Sequence, residues 1–247
     1  VLWHGETPAA GLPEFFSTVR RLGLGFILAT NNATRTAAQY RQKLAGFGVD
    51  VPAVQILNSA EATAAYLGQH YPAGTPLYTI GEAGLRDALT AQGFTLTSEG
   101  AAVVVAGLHK HVCYEELATA TLLIHQGARF VGTNPDVTFP SERGPLPGAG
   151  AILAFLSAAT GVEPTIIGKP YPALFAEALR RLGGAAAATV MVGDRLNTDI
   201  AGGRAAGLRT ILLLSGISTR QEALSGPIRP DWIFEDLQDL TTHLEEI

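Results

Sequence analysis

The sequence contains little sulfur: Cys113 is the one cysteine and there is one methionine among 247 residues. A single cysteine excludes an internal disulfide and a cysteine-rich metal site. Val112 and Tyr114 flank this cysteine like the edge of a packed element, and we interpret it as structural. Disulfide scaffolds and thiolate metal centres are therefore excluded as classes.

Excess positive charge and long apolar runs are also lacking. The net charge is -5 and the sequence pI is about 5.7, so we expect neither nucleic acid nor an anionic membrane as the main partner. The longest weakly polar stretch, 148–161, is too short and too rich in Ala and Gly to span a bilayer. No secretory leader opens the chain, and we therefore expect a cytoplasmic location.

Strand and helix patterns alternate along the chain. Apolar strand-like runs occur at 25–29, 55–57, 77–80, 102–106, 129–132, 189–193, 210–214 and 232–234. Helical spacing of apolar residues occurs at 12–22, 36–47, 59–69, 82–92, 114–126, 148–158, 172–182 and 198–206. This alternation predicts an α/β fold with parallel sheets covered by helices.

Two turn-rich segments, 69–75 and 159–164, divide this pattern. They predict that residues 76–162 form an insertion between two parts of a core domain, 1–75 and 163–247. Hydrophobic residues make up 47% of the chain, which is enough for one large or two modest domains.

A valine-rich run at 190–193 ends in two carboxylates, Asp194 and Asp199. Open α/β sheets bind their ligands just beyond the carboxyl ends of such strands. Carboxylate oxygens suit Mg²⁺, which usually takes one or two of them and completes its shell with water and phosphate. Capping of the next helix by Asp194 is the alternative interpretation.

Two further strand ends carry polar residues. At Thr30-Asn31-Asn32, a hydroxyl and backbone amides at a helix start could hold a phosphoryl oxygen, although helix capping would use the same residues. At Gly168-Lys169-Pro170, glycine and proline restrict the backbone around a lysine that could neutralise a phosphate and a nearby carboxylate. A solvated surface lysine is the alternative.

Taken in order, these segments resemble the haloacid dehalogenase-like (HAD) phosphohydrolases, in particular subfamily IIA with its NagD-like phosphatases, nitrophenylphosphatases and phosphoglycolate phosphatases. The resemblance runs nearly end to end. It is carried by Leu2-Trp3 through Pro8 with Gly11, Thr30-Asn31-Asn32, Gly132-Thr133-Asn134-Pro135-Asp136, Pro147-Gly148-Ala149-Gly150, Gly168-Lys169-Pro170, Gly193–Asp199 and Gly202–Gly207.

The resemblance implies a Rossmann-like core of parallel strands and makes 76–162 an α/β cap domain that excludes water and selects the leaving group. It implies roles for eight residues: Thr30, the Asn31 amide and Lys169 as catalytic phosphate-binding groups, Asp194 and Asp199 at the metal, and Asn134, Asp136 and Asn197 as substrate or cap contacts. The implied cofactor is Mg²⁺ and the implied partner a small phosphorylated metabolite. Relatives often dimerise through the cap, so a homodimer is possible.

The family's Asp-x-Asp-Gly motif is not found in these 247 residues, which begin at Val1-Leu2 where the family continues after it. In the family, the first aspartate forms an aspartyl phosphate and the second is the general acid and base. We expect the motif upstream of Val1, in a Mg²⁺-dependent phosphatase of small phosphomonoesters. The alternatives are a catalytically silent sensor of a phosphorylated metabolite and a sheet completed by a separate chain. Carbon–halogen hydrolysis is disfavoured because it needs no metal.

The predicted cap departs from the family at one position: His109 stands where relatives commonly have Asp after Gly-Leu. We interpret His109 and His111 as polar turn residues. If their loop faces the site, Lys110 or His109 could contact an anionic leaving group.

Overall fold

The computed structural model describes residues 1–244 and 246, with Pro140 described by its backbone alone. The first third contains β1 (Trp3–His4), β2 (Thr7–Pro8), α1 (Leu12–Arg21), β3 (Leu28–Thr30), α2 (Ala37–Gly46), β4 (Ile56–Asn58) and α3 (Ser59–His70). The middle contains β5 (Pro76–Ile80), α4 (Ala83–Ala91), β6 (Thr95–Leu96), β7 (Val103–Ala106), α5 (Tyr114–His125), β8 (Arg129–Gly132), β9 (Thr138–Ser141), β10 (Gly144–Pro147) and α6 (Ala149–Thr160). The last third contains β11 (Thr165–Ile166), α7 (Pro172–Leu182), β12 (Val190–Gly193), α8 (Ala201–Ala205), β13 (Arg209–Leu213), α9 (Arg220–Ser225), β14 (Trp232–Phe234) and α10 (Leu237–His243).

The chain divides into two compact units. The first unit consists of Val1–Leu28, Ala38–Ile56 and Ala178–Ile247, and the second of Ala29–Ala37 and Leu57–Glu177. The cap boundaries expected from the sequence, 76 and 162, stay a prediction.

The second unit is built around a five-stranded parallel sheet in the order β11-β8-β7-β5-β6. All four residues of β7 are buried, as expected for a strand with helices on both faces. Helices α5 and α6 pack Ile124 and Leu156 against this sheet in one apolar cluster with Val104 and Phe130. The sheet therefore forms the core of the second unit.

The first unit contains a parallel three-stranded sheet in the order β12-β13-β14. Gly193, the last residue of β12, lies opposite Leu212 of β13. Ile200 and Leu212 pack with Ala223 in a buried cluster beside this sheet. The sheet places the segment that follows Gly193 at its carboxyl edge.

The α/β fold with parallel sheets is confirmed, and each strand and helix predicted from the sequence overlaps an observed element. The antiparallel hairpin of β9 and β10 was not predicted, because prolines interrupt both strands. The predicted helix at 198–206 begins instead as a π-helical turn, Leu196–Ile200, before α8. In the described part of the chain, no helix combines the length and the apolar character needed to cross a membrane.

Candidate active site

In the second unit, two neighbouring parallel strands bring the Thr-Asn-Pro-Asp and Gly-Lys-Pro segments together. Strand β11 lies beside β8 with Ile166 opposite Gly132. Beyond the strands the pairing continues, since the Gly168 N–H donates to the Thr133 carbonyl at 2.8 Å. The residues that follow the two strands therefore meet at one edge of the sheet.

Asn31 joins this edge through Lys169. The Lys169 N–H donates to Asn31 Oδ1 at 2.7 Å, and Asn31 Nδ2 donates to the Lys169 carbonyl at 2.9 Å. Both residues are buried, each 9% exposed. The Asn31 side chain thus pairs with the Lys169 backbone as a neighbouring strand would.

Asn134 and Asp136 belong to the same hydrogen-bonded group. Asp136 Oδ2 accepts from Asn134 Nδ2 at 2.8 Å and from Asn31 Nδ2 at 3.2 Å. Thr133 Oγ1 donates to Asn134 Oδ1 at 3.0 Å, and both of these residues are buried. Four residues named from the sequence, Asn31, Asn134, Asp136 and Lys169, therefore form one network.

Gly168 is required by the close approach of these segments. A Cβ atom at this position would lie 2.7 Å from the Thr133 carbonyl oxygen and 2.8 Å from Asn31 Oδ1. Neither atom can move without breaking the hydrogen bonds to Gly168 and Lys169. The glycine of Gly-Lys-Pro thus permits the network to form.

The Lys169 side chain reaches the end of β3. Its Nζ donates to the Ala29 carbonyl at 3.1 Å, one residue before Thr30. A buried ammonium group is tolerated only where it is hydrogen-bonded or paired. The structure therefore places the cation beside the Thr30 segment rather than in solvent.

The Thr30 segment is itself held by short-range bonds and by α3. Thr30 Oγ1 accepts from the Asn32 N–H at 3.2 Å, and Asn32 Oδ1 accepts from the Thr34 N–H at 2.9 Å. Asn32 thus makes the local turn bonds that were the alternative interpretation of this segment. Ser59 Oγ donates to the Asn31 carbonyl at 2.5 Å. The sequence pattern carried no signal for this contribution of Ser59.

In the first unit, Asp199 holds the turn that carries Asp194. Asp199 is 5% exposed, and its Oδ2 accepts from the N–H groups of Asp194 at 3.2 Å and Arg195 at 3.1 Å. A Cβ atom at Gly193 would come within 2.1 Å of the Asp199 Cβ, so the carboxylate packs directly on the strand end. Asp199 therefore positions the loop through its backbone.

The Asp194 carboxylate packs closely against Gly216 of the same unit. A Cβ atom at Gly216 would lie 2.2 Å from Asp194 Oδ2. The Ser218 N–H donates to the Asp194 carbonyl at 3.0 Å, and Ser218 Oγ accepts from the Leu196 N–H at 3.0 Å. The backbone nitrogen of Val1 is 3.4 Å from Asp194 Oδ1. Gly216 and Ser218 were missed in the sequence because they lie in a turn without a motif.

The donor set around Asp194 fits a hard divalent cation. Carboxylate oxygens are the ligands such a cation prefers, and Mg²⁺ needs few of them because it keeps water and phosphate oxygens. Within residues 1–244 and 246, no group of three or more His, Cys, Asp or Glu side chains has a metal-binding arrangement. Asp194 and Asp199 are the two carboxylates that the sequence predicts at this position. Asn197 is exposed in the turn between them, in a different unit from Asn134 and Asp136.

His109, the departure from the family pattern, lies between two carboxylates of the second unit. Its Nδ1 is 3.6 Å from Glu82 Oε1, and its Nε2 is 3.4 Å from Glu116 Oε1. The Lys110 N–H, at 2.9 Å from Glu82 Oε1, lowers the pKa of Glu82 below its ordinary value. Burial opposes ionisation of Glu116, but the Cys113 N–H and His109 outweigh it and lower the pKa of Glu116. Cys113 itself is exposed and caps α5.

Comparison with known proteins agrees with this architecture. Residues 1–95 match a family described as haloacid dehalogenase-like hydrolase, and residues 166–240 match one described as HAD-hydrolase-like. The chain is 38% identical over 246 residues to an acid sugar phosphatase of Staphylococcus aureus, covering 99% of this chain and 95% of the relative.

Solved structures of similar proteins cover both ends of the chain. A p-nitrophenyl phosphatase from Archaeoglobus fulgidus superposes with a TM-score of 0.93 at 33% identity, covering 98% of this chain and 95% of that one. NagD from E. coli K-12 superposes with a TM-score of 0.91 at 36% identity, covering 96% and 93%. The chain therefore belongs to the haloacid dehalogenase-like hydrolases, in the branch that contains the NagD-like phosphatases.

Proposed function

We propose that this HAD-like phosphatase hydrolyses small phosphomonoesters in a Mg²⁺-dependent reaction that passes through an aspartyl phosphate. The observation that carries the proposal is the Lys169 ammonium group, which is buried and bonded to the Ala29 carbonyl at the end of β3. A fixed cation beside a strand end that carries a hydroxyl and backbone amides is what a transferring phosphoryl group requires.

Thr30 and the Asn31 backbone amide are proposed to bind the phosphoryl oxygens. The Asn31 side chain cannot share this task, because both of its polar atoms are engaged with Lys169 and Asp136. Lys169 would then neutralise the charge that develops on the phosphate in the transition state. These groups are fixed before the substrate arrives, so they need little reorganisation during the reaction.

Asp194 is proposed as the metal ligand and Asp199 as the residue that supports it. The 20% exposure of the Asp194 side chain leaves it accessible to a cation, whereas Asp199 is directed at two backbone N–H groups. Mg²⁺ would supply charge neutralisation at the phosphate and orient it for in-line attack. Asn134, Asp136 and Asn197 were predicted as substrate or cap contacts, and that assignment stays a proposal.

The nucleophile and the general acid are proposed to come from an Asp-x-Asp-Gly segment preceding Val1. The family resemblance supports this position, because it aligns the motif directly before Val1.

The silent-sensor alternative is not favoured, because the relatives reported above are named as phosphatases. Their names suggest sugar phosphates and 4-nitrophenyl phosphate as first substrates for this chain. The cap role of 76–162, the homodimer and the cytoplasmic location stay predictions.

The test is a rate measurement on the protein as its gene encodes it. Hydrolysis of 4-nitrophenyl phosphate and of a panel of sugar phosphates is followed with Mg²⁺ and with excess chelator. We expect turnover that chelator abolishes and Mg²⁺ restores, and we expect Lys169→Met to lower kcat strongly. Lys43→Met is the matched control, because the Lys43 side chain is 10% exposed and pairs with Glu6 in the first unit, away from the groups the proposal uses. Full turnover in chelator, or in Lys169→Met, would contradict the proposal.

A further inference from the structure

We infer that Asp136 is a positioning residue for Lys169, which acts through the side chain of Asn31 rather than by touching the substrate. The inference deepens the proposed function and rests on it, because the consequence of positioning Lys169 is phosphate binding.

Asn31 and Asn134 share one hydrogen-bond acceptor, the carboxylate of Asp136. Asp136 Oδ2 accepts from the amide groups of both Asn31 and Asn134. A carboxylate only accepts hydrogen bonds, whereas an asparagine amide has one accepting and one donating end. Asp136 therefore selects the orientation of Asn31 in which Nδ2 faces Asp136.

The contacts with Lys169 follow from that orientation. With Nδ2 directed at Asp136 and at the Lys169 carbonyl, Asn31 Oδ1 is left to accept the Lys169 N–H. In the opposite orientation, Asn31 Oδ1 would face the Asp136 carboxylate and the Lys169 carbonyl, and Nδ2 would face the Lys169 N–H. Each of these contacts would then be repulsive. The Asp136 carboxylate thus reinforces the one orientation of Asn31 that pairs with the Lys169 backbone.

Asp136 itself is fixed. The Gly150 N–H donates to the Asp136 carbonyl at 2.9 Å, and a Cβ atom at Gly148 would lie 2.2 Å from that oxygen. A Cβ atom at Gly150 would likewise lie 2.3 Å from the Pro135 carbonyl oxygen. The backbone around Asp136 is therefore packed against the start of α6, and Asn134 Nδ2 holds the carboxylate from the same turn.

Replacing Asp136 should have different effects if it touches the substrate and if it only positions Lys169. A residue that touches the leaving group alters discrimination between substrates. A residue that acts through Asn31 lowers kcat/KM by the same factor for every substrate, and its effect disappears once Asn31 has been truncated.

The experiment is a double-mutant cycle of Asp136→Ala and Asn31→Ala, with Asp136→Asn as the conservative variant. We expect Asp136→Ala to lower kcat/KM about tenfold for 4-nitrophenyl phosphate and for sugar phosphates alike, as expected for loss of a charge-assisted hydrogen bond. Asp136→Asn keeps an acceptor oxygen and should stay within about threefold of wild type. In a protein that already carries Asn31→Ala, Asp136→Ala should cause no further loss of kcat/KM.

Amide hydrogen exchange supplies a readout that does not depend on activity. We expect Asp136→Ala to speed exchange of the Lys169 N–H, and Asp136→Asn to leave it near the wild-type rate. The matched control is Asp231→Ala, since Asp231 Oδ2 accepts two bonds from Thr210 in the first unit. The control should leave exchange of the Lys169 N–H unchanged.

Three results would overturn the inference: additive losses in the cycle, a loss confined to one substrate, or unchanged Lys169 exchange in Asp136→Ala. If the wild-type protein hydrolyses no phosphomonoester, the proposed function fails, and the exchange measurement still decides whether Asp136 positions Lys169.

Discussion

Asn31 and Lys169 exchange two hydrogen bonds, side-chain amide to backbone amide, although 138 residues separate them in the sequence. The pair ties the segment after β3 to the segment after β11. Because both residues are buried, neither partner can turn to water if the other is altered. The pair therefore couples the stability of this region to the placement of the Lys169 ammonium group.

Replacing Asn31 by aspartate should be strongly unfavourable. The variant loses the donor to the Lys169 carbonyl and places a carboxylate 3.2 Å from Asp136 Oδ2. We expect urea denaturation to show a loss of about 1–3 kcal/mol in the free energy of unfolding, the usual effect of leaving a buried polar group unsatisfied. Gln221→Glu adds the same charge on an exposed side chain and should change stability by less than about 0.5 kcal/mol. Equal stability of Asn31→Asp and wild type would show that the pair contributes little.

Gly216→Ala should weaken the proposed metal site without a change at Asp194 itself. The new methyl group would lie 2.2 Å from Asp194 Oδ2 and 2.3 Å from its Cβ, so the carboxylate must move. We expect a rise in the Mg²⁺ concentration needed for half-maximal activity, about 10- to 100-fold, the range found when groups that orient metal ligands are altered.

Gly46→Ala is the matched control for that substitution. Among the residues the structure describes, none outside the adjoining helix backbone lies within 4 Å of a Cβ atom at Gly46, which ends α2. The control should keep the wild-type Mg²⁺ requirement. An unchanged Mg²⁺ requirement in Gly216→Ala would place the cation away from Asp194.

Glu82 should contribute to stability in a pH-dependent way. Because the hydrogen bond from the Lys110 N–H lowers its pKa, the native state favours ionised Glu82 more than the unfolded chain does. This contribution is fully present above the unfolded pKa, at about pH 5 and higher, and is lost as the pH falls through the lower folded pKa.

The corresponding measurement compares Glu82→Gln with wild type by denaturation between about pH 3 and pH 7. The stability difference should be largest at neutral pH and should shrink in acid. Glu99→Gln, on an exposed turn, should give a difference that is small at every pH. A Glu82→Gln difference that grew on acidification would have the wrong sign for this account.

His109→Asp should destabilise the second unit, even though Asp is the residue that the family resemblance implies at this position. The substitution would place a third carboxylate beside Glu82 and Glu116, which lie within 4 Å of the imidazole. Repulsion raises the pKa of the new carboxyl group, so the penalty is present at neutral pH and is relieved as the group protonates in acid.

We expect His109→Asp to lower the free energy of unfolding by about 1–4 kcal/mol at pH 7, the Coulomb range for charges at this separation near a surface. His111→Asp, which makes the same change at an exposed neighbour, is the control. Equal losses of stability in the two variants would contradict the placement of Glu82 and Glu116 beside residue 109.

The sequence was sufficient to predict the alternation of strands and helices, because apolar periodicity is a local property. It was also sufficient to bring Asn31 and Lys169 forward, since each follows a strand and strand ends gather at a sheet edge. Asn134 and Asp136 came forward only through the family resemblance. The sequence could not show that the Asn31 side chain pairs with the Lys169 backbone, because that bond depends on the register of β8 and β11.

The contributions of Ser59, Gly216 and Ser218 were equally hidden in the sequence. Each acts through one hydrogen bond or one close approach to a distant segment, and no periodic pattern encodes such a contact. The hairpin of β9 and β10 was missed for a local reason, since its prolines disfavour a strand and only the cross-strand pairing offsets them.

The central claim is that Asp194 binds the divalent cation a phosphatase reaction needs. The most direct test is a Mg²⁺ titration of 4-nitrophenyl phosphate hydrolysis by Asp194→Asn, with Asp231→Asn as the control. We predict that Asp194→Asn loses about 100-fold or more of the Mg²⁺-dependent kcat/KM, equivalent to about 2.7 kcal/mol of transition-state stabilisation. The control should titrate like the wild-type protein, whereas a wild-type titration curve for Asp194→Asn would contradict the account.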